Sequence, residues 1–288
     1  MSGPPDRIDV ASFVHSKERR YFIISAVVSV CILVPLGMAV LTNAALRPMA
    51  FLYLVLGIVS FTLMHGLLIG HLRGNAVRVS AHQFPLLHRL LVAHARRLQM
   101  TAVPDAFVLQ SGGVINAFAT RFLGHDFVVI NSDVLELAMI EGEEVVSFIL
   151  AHELGHVARH HMTRRMLVLP SRFLPFLGAA YSRACEYTAD RLGAECAPAG
   201  AVQGLLVLAS GKALYRQVDA RIFARQSVTE GGFWTRFAEL LATHPTLPKR
   251  VEALMSAGIT VPVAVHAGAG AERLSVAGES LAAPALTP

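Results

Sequence analysis

Residues 151–161 read Ala-His-Glu-Leu-Gly-His-Val-Ala-Arg-His-His. Within this run, His152 and His156 stand four residues apart, and Glu153 directly follows the first histidine. On a helix that spacing stacks both imidazoles on one face, one turn apart. There they can share one zinc ion at about 2.0–2.1 Å. Glu153 projects at a different angle, so it can approach a metal-activated water as a general base without ligating the metal. The flanks support a helix. Val145, Phe148, Ile149 and His152 recur at three- and four-residue spacing, and the acidic residues from Glu141 to Glu144 suit the positive end of the helix dipole. The spacing predicts one long helix running from about 141–144 toward His161.

A zinc site of this kind takes a third protein ligand and keeps one position open for water. A metzincin-type third histidine requires glycine at position 159 and histidine at position 162, but Arg159 and Met162 stand there. That arrangement is excluded, and His160 and His161 read as exposed residues at a helix C-terminus. Downstream, Glu186-Tyr187-Thr188-Ala189-Asp190 sets two carboxylates one turn apart on a second helix. Glu186 can complete a His2Glu set. Asp190, facing the same way, can accept the remaining ring N–H of His152 and fix its tautomer.

Working outward, the chain is 54% hydrophobic and only 16% charged, with a mean hydropathy of +0.52. The apolar residues concentrate between Tyr21 and Gly70. No charged side chain occurs from Tyr21 to Leu41, a run that rises roughly 30 Å as a helix, about one hydrocarbon core. A second such run extends from Met49 to Gly70. The two form a predicted transmembrane hairpin over 21–70, and the length of the first run together with the immediate second span argues against a cleaved signal peptide. Lys17, Arg19 and Arg20 precede the hairpin, Arg73 and Arg78 follow it, and the turn between the spans holds Arg47 alone. By the positive-inside rule both ends are cytoplasmic, which places the rest of the chain on the cytoplasmic side of a cell (inner) membrane. His65 and His71 read as helix-facing or interfacial histidines.

The net charge of +5, carried by arginine far more than lysine, suits an anionic lipid surface. No nucleic-acid-reading motif is present. Cys31, Cys185 and Cys196 form no CxxC pair, consistent with a reducing compartment.

Residues 1–15 read as a mobile tail within a cytoplasmic N-terminal segment over 1–20, and 84–100 as the first core helix of the soluble domain. Residues 107–110 and 127–130 read as short strands, and Ser132-Asp133 as the start of a short helix. The segment 166–181 is apolar but interrupted by Pro170, Arg172 and Pro175, and reads as membrane-adjacent or groove-forming. Helices are expected at 183–194 and 201–216. The metallopeptidase domain is expected over 71–258, with a disordered tail over 259–288.

These motifs together resemble the HtpX-type membrane zinc metallopeptidases, relatives of the CaaX prenyl endopeptidases. The resemblance rests on Asn116-Ala117-Phe118-Ala119-Thr120, on Glu144 to His156, on Glu186 to Asp190 followed by Arg191, and on His244-Pro245 followed by Arg250. It implies an α+β, mainly helical zincin-type domain with a small β-sheet, preceded by the two-helix hairpin. It further implies one Zn2+ per chain held by His152, His156 and Glu186, with Glu153 as catalyst and membrane or misfolded proteins as substrates. One departure is plain. HtpX-type chains carry a second hydrophobic hairpin between the HExxH motif and the glutamate ligand, and here only 29 residues separate His156 from Glu186. Two spans are therefore expected rather than four.

Several assignments stay open at the level of sequence. His244 either lies near the metal, as an oxyanion donor or a removable cap, or is a turn histidine. Arg250 either reaches the cleft or forms a structural ion pair. Asn116 either lines the cleft or serves a turn, and the 127–130 strand is a candidate edge for an extended substrate. The expected partners are protein or peptide substrates and the lipid bilayer, with no nucleic acid. The oligomeric state leaves no signal. A CaaX-type processing protease and a zinc-stabilised membrane scaffold without turnover remain alternatives, though a scaffold has no need of Glu153.

Overall fold

The structure is a computed structural model and describes residues 7–110 and 117–259. It is mostly helical, with one small mixed sheet. Asn116 and all but the first residue of the expected C-terminal tail lie outside the described residues.

Two long helices come first. Helix α1 spans Ser16–Thr42 and α2 spans Leu46–Asn75, both long and apolar enough to cross a membrane. Their apolar side chains are largely exposed, unlike those of a soluble core helix. Both extend beyond the uncharged runs. Helix α1 begins with Glu18 buried against the body, and α2 ends with Ile69 and Leu72 packed on the sheet. The N-terminal segment also differs from a mobile tail. Ile8 is buried in the main core, and its backbone N–H donates to Arg97 O at 2.9 Å. The stretch 8–15 is held because Ile8 has an apolar pocket and the His15 backbone N–H donates to Thr188 Oγ1.

The sheet has the order β1-β2-β4-β3, from β1 (Val77–Arg78), β2 (Asp105–Leu109), β3 (Ala117–Phe122) and β4 (His125–Asn131). Strands β2 and β4 pair in parallel, and the other two pairings are antiparallel. Side-chain alternation splits the faces. Ala106, Val108, Val128 and Ile130 enter the main core, while Phe107, Phe127 and Val129 meet the end of α2. The 127–130 strand is therefore central, because both of its sides are paired, and the edge beside the helices is β3.

Helix α3 (Pro85–Arg97) buries Leu87, Leu91 and Ala95, and α4 (Ser132–Glu141) follows β4 directly. Helix α5 (Glu144–Ala158) is buried at every position from Val145 to Val157, as expected of a helix apolar nearly all round. It ends earlier than the spacing predicted. His160 takes a left-handed conformation (φ 53°) and a short helix α6 (His161–Leu167) starts in a new direction.

A 3₁₀ turn at Leu169–Phe173 leads to α7 (Leu177–Cys196), then α8 (Pro198–Ser210), α9 (Ala220–Thr229), α10 (Phe233–Leu241) and α11 (Leu247–Ser256). Helix α5 packs against α7 and α8. The approach to α7 is close because glycine faces the partner. A Cβ on Gly193 would lie 3.0 Å from the Phe148 ring and 3.2 Å from the His152 backbone nitrogen.

Candidate metal centre

The buried helix α5 places His152, Glu153 and His156 inside the molecule, and α7 brings Glu186 and Asp190 against them. The two histidine Nε2 atoms lie 3.2 Å apart. His152 Nε2 lies 3.5 Å from Glu186 Oε2, and His156 Nε2 lies 3.5 Å from Glu186 Oε1. Four ligands at about 2.0–2.1 Å from one ion stand about 3.4 Å from one another in a tetrahedron. The two ring nitrogens and the Glu186 carboxylate, which turns one oxygen toward each ring, are therefore spaced to surround a single zinc-sized ion.

The opposite ring nitrogens each lie close to a polar group that can orient the donors. His152 Nδ1 lies 2.9 Å from Asp190 Oδ1. Arg250 grips the same carboxylate in a two-pronged contact, Nη2 to Oδ1 at 2.6 Å and Nε to Oδ2 at 2.7 Å. His156 Nδ1 lies 2.8 Å from His161 Nδ1. If His156 offers its Nε2 lone pair to a metal, its Nδ1–H donates to His161, and the Nε2–H of His161 then faces Glu18 Oε2 at 3.4 Å.

His161 is thus not an exposed helix end. It is 0% exposed, because the break at His160 turns it inward. Glu18, at the foot of α1, is 1% exposed and also receives Arg159 (3.0 Å), Arg164 (3.3 Å) and the Thr188 hydroxyl. Sequence inspection passed over this carboxylate because it sits in the basic flank of the first span. Arg165 is a second residue missed: its Nη2 lies 3.6 Å from Glu186 Oε1.

The charges favour a cation at the centre. Burial alone would push Glu186 upward, but His156, His152 and Arg250 outweigh it and hold the carboxyl well below its usual range. Burial also opposes a charge on His152, yet Asp190 and Glu186 overcome it and raise that ring, while burial lowers His156 well below its ordinary value. Two carboxylates flanking one imidazole draw positive charge to its Nε2, and a metal cation can replace the proton there. Glu153 differs: burial, chiefly, pushes it up to about 7, although the Ala119 backbone N–H of β3 bonds to it.

These groups line a cleft of about 310 Å³ that is walled by Ala117, Phe148, His152, Glu153, Glu186 and His244, among others. His244 stands on its rim, exposed, with Nε2 3.5 Å from Glu186 Oε1. Arg250 lies at the back, with Nη1 3.7 Å from Glu186 Oε2. The structure thus brings His152, Glu153, His156, Glu186, Asp190, His244 and Arg250 to one place, while Asn116 lies outside the described residues.

No curated protein and no solved structure matches the chain. The profile of Peptidase family M48 matches residues 81–173 and 169–257, a region that holds every residue of the cleft. The chain belongs to Peptidase family M48, a family of metallopeptidases.

Proposed function

We propose that the chain is a membrane-anchored zinc endopeptidase that hydrolyses peptide bonds in membrane or misfolded proteins at the cytoplasmic face of the cell membrane. The observation that carries this is the triangle of His152 Nε2, His156 Nε2 and the Glu186 carboxylate, with edges of 3.2 and 3.5 Å, facing a cleft that also holds Glu153. His152, His156 and Glu186 would hold the zinc. When bound, zinc acidifies a water and polarises the scissile carbonyl.

The chain's own groups do the rest. Glu153 takes the water's proton and passes it to the departing amine, a role suited to a carboxyl raised toward neutrality. His244 donates a hydrogen bond to the carbonyl oxygen as negative charge develops there. Asp190 and Arg250 keep the His152 ring from turning. An extended substrate lies along β3, the edge strand, whose Ala117 lines the cleft. The basic flanks at Lys17, Arg19, Arg20, Arg73 and Arg78 support the cytoplasmic orientation.

The test compares wild type with Glu153→Gln, for zinc content and for cleavage of an unfolded protein and of a membrane protein. Both forms should carry zinc, and the variant should turn over about 10²–10⁴-fold more slowly. Equal turnover would remove Glu153 from the mechanism.

A further inference from the structure

The segment between the two halves of the metal site carries an apolar surface that no other described residue covers. Leu167, Leu169, Phe173, Leu174 and Phe176 are exposed, Phe173 at 85%. Helix α10 continues this surface. Phe233, Trp234, Phe237, Leu240 and Leu241 recur at the spacing of one helical stripe, no residue of the helix is buried, and Trp234 is 76% exposed. The two parts touch through the Phe176 and Phe237 rings, whose centroids lie 6.5 Å apart.

Helix α1 fixes where this surface sits. Phe22, Ser25, Ala26 and Ser29 face the body, and small residues at such a seam allow close approach. The Ser171 backbone N–H donates to Ser29 Oγ at 3.2 Å. Ser29 is eight residues beyond Tyr21, where the uncharged run begins, so it lies roughly 12 Å along the span. A bilayer that accepts α1 from Tyr21 onward also reaches the turn at Leu169–Phe173, whose exposed Arg172 has a stem long enough to carry its charge toward the headgroups. Helix α10 is held beside it. Arg183 of α7 donates to the carbonyls of Glu239 (2.7 Å) and Ala242 (2.7 Å) at its C-terminal end.

We infer that the 167–176 elbow dips into the hydrocarbon layer beside α1, and that the aromatic stripe of α10 lies in the interface with it, so that the peptidase body is seated in the bilayer and not merely tethered to it. The occupant of this surface is lipid. Its apolar face is continuous with that of α1, and an amphipathic helix bearing tryptophan and phenylalanine suits the boundary between headgroups and acyl chains. A second cleft, of about 340 Å³, opens between α1, α7 and α10. Lys17, Tyr21, Arg183 and Lys249 line it, and it shares Pro245 with the catalytic cleft. Seating therefore puts the entrance to the metal site at the headgroup level, where a polypeptide leaving the membrane would meet it. The inference rests on the membrane anchoring proposed above and specifies how the substrate is presented.

Trp234 is the single tryptophan of the chain, so its emission reports on α10 without labelling. The full chain is placed in phospholipid nanodiscs with and without bromine on the upper acyl chain. Three single-dye forms are compared: one at the native Cys31 in α1, one at Phe173→Cys, and one at Val228→Cys on the exposed face of α9, the last two in a Cys31→Ser background. Trp234 emission should be roughly halved by bromolipid, as for a ring about 5–10 Å below the headgroups. The dyes at positions 31 and 173 should be quenched, and the dye at 228 should not. Quenching at 31 without quenching at 173 and 234 would overturn the seating and leave the anchor intact. No quenching at 31 would overturn the anchor itself. Protection of Trp234 that appears only as protein concentration rises would assign the surface to a second copy and refute the lipid assignment.

Discussion

Replacing Asp190 by alanine strips partners from two buried groups at once. Arg250 loses both short hydrogen bonds and keeps only the longer approach to Glu186 at 3.7 Å. Removing one partner of a buried ion pair costs about 3–5 kcal/mol, because the remaining charge stays desolvated. The His152 ring loses its acceptor as well, worth a further ~1–3 kcal/mol if the orphaned N–H stays buried. These costs overlap, since Arg250 can shift toward Glu186, so a total of about 3–5 kcal/mol is expected for the metal-free protein. Zinc affinity should fall about 10–100-fold, the usual effect of removing an outer partner of a ligating histidine. Asp190→Asn keeps an acceptor for His152 but not the charge, and should fall between wild type and alanine. Adding Arg250→Met to Asp190→Ala should recover much of the lost stability, because no unpaired guanidinium remains, without restoring zinc affinity. Chemical unfolding of detergent-solubilised, zinc-free protein and competition with a chromogenic chelator measure the two quantities. An alanine variant within about 1 kcal/mol of wild type, binding zinc equally well, would refute the account of Asp190.

His161→Leu should weaken zinc binding about tenfold by releasing the outer nitrogen of His156, as chelator competition would show. Glu186→Ala should abolish stoichiometric zinc, while His160→Ala should retain it, both read by metal analysis. A Cβ on Gly200 would lie 2.0 Å from the Glu144 carbonyl oxygen, so Gly200→Ala should destabilise the α5–α8 packing by at least about 1–3 kcal/mol in an unfolding titration. Burial pushes His94 down to about 4 from an ordinary 6.5. As pH falls through that window the unfolded chain takes up a proton that the folded chain refuses, so stability drops. His94→Gln should remove on the order of 2–3 kcal/mol of that pH dependence, measured as unfolding free energy between pH 7 and 4.

Elements defined by local pattern were legible in the sequence. Uncharged runs long enough to cross a bilayer announced α1 and α2, and the histidine pair on a periodic apolar helix announced α5. Strand β3 was not legible as a strand, because Ala117–Phe122 is a half-exposed edge whose side chains do not alternate between apolar and polar. Which strand forms the edge is decided by pairing between distant segments, so residues 127–130 were misplaced there. The end of α5 was missed because no glycine or proline marks it, and His160 adopts the left-handed turn itself. Glu18 and His161 are the deeper omission. Their meeting depends on a contact between the foot of α1 and α6, far apart in the chain, and nothing near either residue points to it.

That meeting changes what counts as the enzyme. The hairpin looks detachable by composition, yet its first turn supplies a carboxylate to Arg159, Arg164, Thr188 and His161, and the stretch before it fills the core with Ile8. A chain shortened to begin after Gly70 would leave two arginines and a histidine without their shared counter-charge, next to the nitrogen that orients His156. Clipping the hairpin away would release no soluble peptidase but a damaged one. Under the proposed anchoring, hairpin and peptidase domain form a single piece, and confinement of activity to the membrane follows from the fold rather than from an added address.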